Sequence, residues 1–548
     1  MAGGSCATLL ARAVVVVGLL VVGVPRVQPA YGGLAANKGG SLFTSSANIH
    51  SLFSVEKDMA QLLKRYIQDQ EHRLQQLKGL VDVIERTPVP PTDNDLEPQD
   101  SFGLLHRMVE GMQHVQELFE NDVQREVQDA LTNNGLPNMD DLKGGAQGLL
   151  RLQRVYALKP QELLPNASAP ELLAIGQEAY NQNDMASADR WLEFALSKLD
   201  DASANYVTAL DYLAFVAFKL RDLPRAIEYS ERLLQRDPNN TRVALNLEYY
   251  NVTLNRNRSL PDPHAKDKAD AHDDADVRHD RDNILGHSEE DMERFRRLCR
   301  GETLYHPQRP LTCELKHYNQ PHLFLKPIKV EHLHEGRQRL QVFRQFASPE
   351  ECRHLQHAGK RRLERAVAWT DGRFQPVEFR ISTAAWLQPD HDAIVKRIHG
   401  RIEDATQVDI EYAEALQISN YGMGGFYEPH FDHSSRGTNP DGERLATFMI
   451  YLNPVKQGGF TAFPRLGAAV QPGYGDAVFW YNLQPSGVGD PLTLHGACPV
   501  LRGSKWVANK WIHERGNVCR KPLPGETFTA YSSAEQRQQH CTPRLPVT

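Results

Sequence analysis

The sequence lacks three features: an excess of basic charge, an apolar run that could span a membrane, and a C-terminal retention signal. A formal net charge of -7 over 548 residues argues against a general nucleic-acid binder, which needs a concentrated basic face. The apolar run at residues 13–24 is shorter than the ~20 residues that a bilayer requires. The C-terminus, residues 545–548, is not of the KDEL type. We therefore expect a mature protein that binds no nucleic acid and spans no membrane.

The apolar run itself is typical of a secretory signal peptide. Arg12 precedes it, and small and polar residues follow it, in the order of a charged region, an apolar core and a cleavage region. We assign residues 1–30 to the signal peptide, with the cleavage point uncertain between residues 23 and 33. A buried N-terminal helix is the alternative. A signal peptide predicts that the mature chain lies in the lumen of the endoplasmic reticulum, where some other factor must retain it.

An oxidising compartment agrees with the cysteine content. Removal of Cys6 with the signal peptide leaves an even number of cysteines, which permits disulfides without deciding how they pair. These six are Cys299, Cys313, Cys352, Cys498, Cys519 and Cys541. Four sequons would be open to glycosylation in that compartment: Asn166, Asn239, Asn251 and Asn257.

The first part of the mature chain, residues 31–158, is predicted to be helical. At 548 residues the chain is too long for one core, because domains usually hold roughly 100–200 residues. Apolar residues three or four apart predict one long helix over 54–86, which Pro88 ends. Further helices are expected near 102–131 and 141–158. The pattern suits either a helical bundle or a dimerising coiled coil.

Residues 159–258 contain a repeat that is typical of tetratricopeptide helix pairs. Ala179-Tyr180, Asp184, Ala188 and Trp191 recur as Ala217-Phe218, Asp222, Ala226 and Tyr229. Such helix pairs stack into a concave surface that commonly holds an extended peptide. The aromatic residues predicted to line it are Tyr206, Tyr212, Phe215, Tyr249 and Tyr250. The alternative for each of them is packing of helix against helix.

Residues 259–320 are predicted to be a charged linker. Residues 261–291 are rich in Asp, His, Lys and Arg, and their irregular spacing favours a solvated segment over a histidine metal tract. Beyond residue 320, short apolar runs broken by Gly, Pro and Asn predict a sheet-rich domain, a double-stranded β-helix over 321–520 with its core at 414–515. We expect strands at 415–421, 445–452, 459–463, 476–482 and 505–512, a helix at 391–404 and a tail at 521–548.

A candidate metal site lies inside this last domain. Residues i and i+2 of a strand point to one face, so His430 and Asp432 are expected to face the barrel interior together. His495 is the natural third ligand, from a neighbouring strand. Two imidazoles and one carboxylate form the facial triad of non-haem Fe(II) oxygenases, which leaves positions for 2-oxoglutarate and O2. A chance arrangement or a zinc hydrolase remains the alternative.

Lys505 makes the 2-oxoacid the more specific interpretation. Alternation along the strand places Lys505, Val507, Asn509 and Trp511 on one face, where a cation is costly without an anion. A carboxylate of 2-oxoglutarate would supply that anion. Tyr421 would be a second hydrogen-bond donor to it, or alternatively a tyrosine of the core. The alternative for Lys505 is a solvated lysine on an edge strand. Two rival ligands are set aside, His433 because it lies on the opposite strand face and His513 because it is taken to face away from Lys505.

The segments 420–432 and 498–514 together resemble the collagen prolyl 4-hydroxylase alpha-subunit family, with support from 380–386, 444–452 and 479–483. The resemblance implies that His430, Asp432 and His495 hold Fe(II) and that Lys505 binds the C5 carboxylate of 2-oxoglutarate. Tyr421 and Thr461 would assist, and Trp511 would form part of the wall. Disulfides Cys299–Cys313 and Cys498–Cys519 are also implied.

The same resemblance implies hydroxylation of peptidyl proline at C4 in X-Pro-Gly sequences of procollagen-like peptides, with O2 as co-substrate and L-ascorbate as the reductant that restores the iron. It also implies an α2β2 tetramer with protein disulfide isomerase as the β subunit, whose retention signal would serve both chains. Two other functions compete with it. One is a hydroxylase of the same chemistry with another target, such as lysine, and the other is a non-catalytic peptide-binding protein.

Overall fold

The computed structural model describes residues 42–86, 127, 129, 138–201, 203–257, 286–307, 310–334, 340–370, 373–433 and 441–517. The expected signal peptide, the expected tail with Cys541, and Cys519 lie outside these residues, and so do residues 259–285 of the expected linker and nearly all of the helix expected at 102–131.

The described helices are α1 (Ser46–Arg86), α2 (Met139–Tyr156), α3 (Pro160–Leu163), α4 (Ala169–Asn181), α5 (Met185–Leu196), α6 (Ala204–Lys219), α7 (Leu223–Arg236), α8 (Thr241–Asn257), α9 (Glu289–Cys299), α10 (Pro321–Leu325), α11 (Pro349–Lys360) and α12 (Ala393–Thr406). Short 3-10 turns occupy Leu42–Thr44 and Pro491–Thr493.

The described strands are β1 (Cys313–Lys316), β2 (Ile328–His334), β3 (Leu340–Arg344), β4 (Glu364–Arg365), β5 (Val367–Thr370), β6 (Arg373–Pro376), β7 (Arg380–Ile381), β8 (Thr383–Leu387), β9 (Leu416–Tyr421), β10 (Phe426–His430), β11 (Arg444–Tyr451), β12 (Gln457–Gly458), β13 (Thr461–Phe463), β14 (Ala468–Val470), β15 (Ala477–Tyr481), β16 (His495–Ala497), β17 (Val500–Arg502) and β18 (Lys505–His513).

The long N-terminal helix α1 begins eight residues before the predicted start, at Ser46 rather than 54. The hydroxyl of Ser45 accepts a hydrogen bond from the Asn48 N–H (3.3 Å), which is the bond of a helix N-cap. Leu62 is its one buried residue, whereas a row of large apolar side chains is exposed. No helix among the described residues is both long enough and apolar enough to cross a bilayer.

Helices α4 to α8 form the predicted repeat. The small residues that recur in it, Ala179, Ala188, Ala217 and Ala226, are fully buried where neighbouring helices approach. The recurring aspartates cap the second helix of each pair: Asp184 accepts from the Ser187 N–H and Asp222 from the Arg225 N–H. The repeat read from the sequence is therefore a repeat of helix contacts and caps.

The C-terminal part contains two sheets that face each other. The nine-stranded sheet has the order β1-β2-β3-β15-β11-β18-β9-β8-β4, and the five-stranded sheet has the order β14-β13-β16-β10-β7. Met449, Tyr451 and Val507 of the first sheet share one apolar core with Phe463 and Ala497 of the second. Helices α11 and α12 cover the outer face of the large sheet. This arrangement confirms the predicted fold class, helical regions followed by a sheet-rich domain.

Part of the segment that the sequence assigns to a linker is folded. Helix α9 buries Phe295 and Leu298 against Ala462, and Ser288 caps it by accepting from the Asp291 N–H. The spacing of these two apolar residues is helical, but a high local density of charge hid them. Of the charged residues in its first turn, Glu289 and Glu290 are exposed, whereas Asp291 is buried and pairs with Arg465 at 2.8 Å.

The disulfide pairing implied by the resemblance is wrong in this structure. Cys299, the last residue of α9, is bonded to Cys498, just after β16. Both sulfurs lie in the apolar cluster formed by α9 and the small sheet, so proximity in space rather than in sequence decides the pairing. Cys313 is free and exposed on the edge strand β1, and Cys352 is free and buried in α11.

Candidate functional site

The two predicted histidine ligands lie opposite each other on neighbouring strands. His430 ends β10 and His495 begins β16, and the two residues are direct partners in the antiparallel ladder. Asp432 lies just past the end of β10 rather than within it, so the alternation of a regular strand does not by itself place it. One ligand atom from each of the three residues lies within 4.8 Å of the others.

The imidazoles are oriented for coordination through Nε2. Nδ1 of His430 lies 2.8 Å from the Glu428 carbonyl, and Nδ1 of His495 lies 2.9 Å from the Thr493 carbonyl. A ring that donates its Nδ1–H to a carbonyl presents the Nε2 lone pair to a metal. Nε2 of His430 lies 3.7 Å from Oδ1 of Asp432, and Nε2 of His495 lies 3.6 Å from Oδ2, so the carboxylate lies beside both nitrogens that would bind the metal.

The charge states also suit a metal site. Burial lowers the pKa of His495 to about 4, so this imidazole is neutral at physiological pH. Burial alone would raise the pKa of Asp432, but the neighbouring His495 and His430 outweigh it and hold that pKa below its usual range. One carboxylate with neutral imidazole donors is the donor set that suits Fe(II) in oxygenases.

A chain of side chains fixes the carboxylate of Asp432. The Thr447 hydroxyl donates to its Oδ2 (2.6 Å), and the Asn482 amide donates in turn to the Thr447 hydroxyl (2.9 Å). The Arg444 guanidinium donates to the Asp432 carbonyl at 3.3 Å. Because all of these groups are held by β11 and its neighbours, the carboxylate is oriented before any ligand binds.

Lys505 is a buried cation that faces the same cavity. Its side chain is only 1% exposed, and burial lowers the pKa of its ammonium to about 7. Its Nζ lies 3.4 Å from the Thr461 hydroxyl and 5.5 Å from the ring centre of Tyr421. No carboxylate among the described residues lies within ion-pair distance of it. A buried ammonium without an anion is costly, and the dicarboxylate 2-oxoglutarate fits this position.

The cavity joins the metal cluster to Lys505. Its empty volume is about 450 Å³, and all four residues that the strand alternation places on one face of β18 line it. The predicted residues Tyr421, Thr461 and Trp511 lie in the same wall. The Tyr451 hydroxyl donates to Thr461 (2.8 Å), so the threonine hydroxyl accepts from Tyr451 and Lys505 and keeps its own hydrogen for a ligand.

The two rival histidines are outside the cluster. His433 packs its ring against Phe431. The His513 ring lies against two acceptors, with Nδ1 2.9 Å from the Gly442 carbonyl and Nε2 3.2 Å from the Glu414 carboxylate, but the reason given from the sequence is wrong. Eight residues separate it from Lys505, so the two share a strand face, and the length of β18, about 3.3 Å per residue, is what removes His513 from the cavity.

The sequence missed several residues of the cavity. Thr447 and Met449 on β11, Trp480 on β15 and Tyr427 on β10 also line it, together with Arg380. Tyr427 stacks on His430 with ring centres 3.5 Å apart, and Trp480 packs edge-on against His495 at 4.7 Å. Alternation along β11 would have indicated Thr447, since it is a polar residue on the inward face of an apolar strand.

The repeat domain carries a second candidate site, an aromatic cluster. Ring contacts of 4.9 to 6.3 Å connect its members in one row along α4, α6 and α8. These members are Tyr180, Tyr212, Phe215, Phe218, Tyr249 and Tyr250. Tyr180 and Phe218 were not predicted to line the surface, although both stand in the repeat. Tyr206 was predicted to line the surface but lies apart from the row. It is buried, and its hydroxyl accepts a hydrogen bond from Arg232 (2.8 Å).

Three family models match three separate parts of the chain. Residues 45–166 match the prolyl 4-hydroxylase alpha-subunit N-terminal region, and residues 169–256 match the prolyl 4-hydroxylase peptide-substrate-binding domain. Residues 416–513, which hold the metal cluster and Lys505, match the 2OG-Fe(II) oxygenase superfamily. The aromatic cluster and the iron cavity therefore lie in different matched regions.

Whole-chain relatives agree with these matches. Prolyl 4-hydroxylase subunit alpha-1 of Homo sapiens is 34% identical over 516 residues, covering 88% of this chain and 95% of the relative. Subunit alpha-2 of Gallus gallus is 34% identical over 510 residues, covering 88% and 94%. Subunit alpha-1 of Caenorhabditis elegans is 33% identical over 513 residues, covering 88% and 90%.

Among solved structures, the 2OG complex of a viral collagen prolyl hydroxylase from Paramecium Bursaria Chlorella virus-1 is 27% identical, covering 32% of this chain and 94% of that chain with a TM-score of 0.28. The expected cofactors, Fe(II), 2-oxoglutarate, O2 and ascorbate, agree with the oxygenase match and with the metal-binding cluster. With its N-terminal, peptide-binding and oxygenase regions all matched, the chain belongs to the prolyl 4-hydroxylase alpha-subunit family.

Proposed function

We propose that the chain is a procollagen-proline 4-dioxygenase alpha subunit, which hydroxylates peptidyl proline at C4 in X-Pro-Gly sequences of collagen-like peptides. The observation that carries the proposal is the unpaired, buried Lys505 in the same cavity as His430, Asp432 and His495. That combination binds a metal and a dicarboxylate at once. The named activity of the relatives and the match to a peptide-substrate-binding domain support proline as the target.

In this proposal each residue of the cavity has a distinct task. His430, Asp432 and His495 would hold Fe(II), which with 2-oxoglutarate and O2 would supply the oxidising power, with succinate and CO2 as co-products. Lys505 binds the C5 carboxylate, and Thr461 and Tyr421 donate hydrogen bonds to it. Trp511 forms the wall beside the cosubstrate, where the Arg444 guanidinium lies 4.1 Å from its ring centre. The enclosure excludes water, which strengthens each charged contact.

The repeat domain would hold the peptide substrate. Proline-rich chains adopt an extended helix that docks on flat aromatic faces. The row offers such faces at Tyr180, Tyr212, Phe215, Phe218 and Tyr249, whereas Tyr250 is buried in the repeat core. The expected assembly is an α2β2 tetramer in the endoplasmic reticulum lumen with protein disulfide isomerase as β subunit. The exposed apolar side chains of α1 are consistent with dimerisation through that helix.

Anaerobic titration with Fe(II) and 2-oxoglutarate tests the cofactor part. A chelated 2-oxoacid gives a metal-to-ligand charge-transfer band in the visible, and we expect this band to need both additions. Peptide-dependent succinate formation with a (Pro-Pro-Gly)-repeat peptide then tests the substrate. A visible band without turnover on such peptides, but with turnover on a lysine-containing peptide, would replace the proline target by another residue.

A further inference from the structure

Helix α2 contacts β10 and the residues just after β16, beside the two strands that carry the histidine ligands. The Arg151 guanidinium donates to the Gly424 carbonyl (2.7 Å) and lies 4.0 Å from the ring centre of Phe426, the first residue of β10. At the end of the helix, the Tyr156 hydroxyl donates to the Pro499 carbonyl (2.6 Å), just after β16. One short helical segment thus reaches the flank of His430 and the flank of His495.

The backbones are in direct contact at the same place. Gly424 has a φ of +66°, and a Cβ there would lie 2.7 Å from Cα and O of Gly148 in α2. No side chain fits between the two backbones. The helix therefore packs directly on the turn 422–425, and the hydrogen bond from Arg151 to the Gly424 carbonyl spans this contact.

The other face of α2 belongs to the repeat domain. Leu149, Leu150 and Leu152 are part of its apolar core. Gln153 accepts from the Trp191 indole N–H of α5 (2.8 Å), and this bond is buried. Gln147 donates to Glu178 of α4 at 2.9 Å. Because α4 also carries Tyr180 of the aromatic cluster, one helix connects the peptide surface to the iron strands through packed contacts.

From this we infer that α2 holds the aromatic cluster at a fixed position relative to the iron cavity, and that Arg151 is a positioning residue for long peptide substrates. The inference rests on the proposed function. A peptide bound by both regions engages the second of them as an intramolecular event, and that advantage exists only while the two regions keep a suitable geometry. A short peptide reaches the cavity alone and gains nothing from the helix.

Arg151→Ala tests the inference in the full chain assembled as the active enzyme. We measure kcat and KM for a long (Pro-Pro-Gly)-repeat peptide and for a single-triplet peptide, with KM for 2-oxoglutarate as the check on the cavity. We expect KM for the long peptide to rise about tenfold, while kcat, the short-peptide kcat/KM and KM for 2-oxoglutarate stay within about twofold. Arg151→Lys, which can still donate to Gly424, is expected to fall between wild type and Arg151→Ala.

Arg154→Ala is the matched control. Arg154 lies on the same helix, its side chain is 55% exposed, and its ion pair among the described residues is a 4.0 Å contact with Asp184. This variant should behave as wild type. Adding Tyr156→Phe to Arg151→Ala should raise the long-peptide KM further. An equal loss of kcat/KM on long and short peptides overturns the inference, because it would mean local damage at β10. An unchanged KM for the long peptide in the double variant also overturns it. Failure of the proposed function is distinct, since wild type itself would then not turn over either peptide.

Discussion

The iron cavity and the aromatic cluster differ in how firmly their side chains are held. In the cavity each candidate ligand is buried and oriented by a second group: carbonyls for the two histidines, Thr447 for Asp432. In the cluster Tyr180, Tyr212 and Phe218 are only partly buried against the repeat core, and Tyr249 is 58% exposed. Oxygen chemistry needs atoms fixed in advance, because misplacement costs rate directly. An extended proline-rich segment needs only flat apolar faces at suitable intervals.

The difference predicts that a change in the cavity stops chemistry and a change in the cluster weakens binding. Removing one metal ligand is the change in the cavity with the largest expected effect on turnover. His495→Ala is expected to reduce peptide-dependent succinate formation to background while binding of a (Pro-Pro-Gly)-repeat peptide stays unchanged. Turnover measured by succinate release and peptide binding measured by calorimetry decide it. Undiminished turnover would remove His495 from the site.

Replacing Lys505 should have opposite effects on cosubstrate binding and on the stability of the fold. Lys505→Met removes the charge-assisted bond to the carboxylate, worth about 2–5 kcal/mol, so KM for 2-oxoglutarate should rise roughly 30-fold or more. The cofactor-free protein should instead become more stable, because the variant buries no unpaired ammonium.

The size of that stability effect changes with pH. Since the folded-state pKa is about 7 against 10.5 for the free side chain, the unfolded chain holds the extra proton between these values, and wild-type stability rises with pH through this window. The gain in melting temperature of Lys505→Met should therefore be largest near pH 7 and smallest near pH 10. A variant that melts lower at pH 7 would contradict the unpaired state of Lys505.

Orientation of the Asp432 carboxylate is the next largest effect. Thr447→Val keeps the shape but removes the donor to Oδ2, and loss of such a bond typically costs about 10–100-fold in metal affinity. KM for Fe(II) should rise accordingly, with KM for 2-oxoglutarate little changed. Thr461→Val, the same exchange beside Lys505, should show the reverse pattern. If both variants changed both constants alike, the two halves of the cavity would not be separable.

The pH dependence of cosubstrate binding sharpens the same distinction. Lys505 binds a carboxylate as ammonium, and burial lowers its pKa to about 7 in the empty cavity. The affinity for 2-oxoglutarate should therefore fall about tenfold per pH unit above about 7, until the pH reaches the raised pKa of the complex. Peptide binding at the aromatic cluster should not follow this curve. Anaerobic titrations from pH 6 to 9 give both profiles.

The smallest effect belongs to the cluster. Tyr249→Ala removes one exposed ring, for which about 1 kcal/mol, or roughly fivefold in peptide Kd, is the expected loss. Iron and 2-oxoglutarate binding should stay as in wild type. Tyr206→Phe is the control, because that hydroxyl is bonded to Arg232 away from the cluster. If Tyr206→Phe weakened peptide binding more than Tyr249→Ala, Tyr206 would belong to the peptide-binding surface, as the sequence predicted.

Local pattern was sufficient for much of the fold. Alternation along β18 placed Lys505, Val507, Asn509 and Trp511 on one face, and all four line the cavity. Repeat spacing located the capping aspartates and the buried alanines of the helix pairs. It was insufficient at Asp432, which lies beyond the end of its strand, and at α9, where charged neighbours concealed two core residues.

By itself, the sequence determined most of the element types and the order of the regions, because these depend on neighbours a few residues apart. The metal and cosubstrate residues remain predictions from strand alternation and family resemblance. Only the tertiary structure decided the Cys299–Cys498 bond, the exclusion of Tyr206 from the aromatic row, and the contact of Arg151 with Gly424. These depend on which distant segments share one core or one surface. Packing brings such segments together, and the spacing of residues along the chain does not predict which segments will meet.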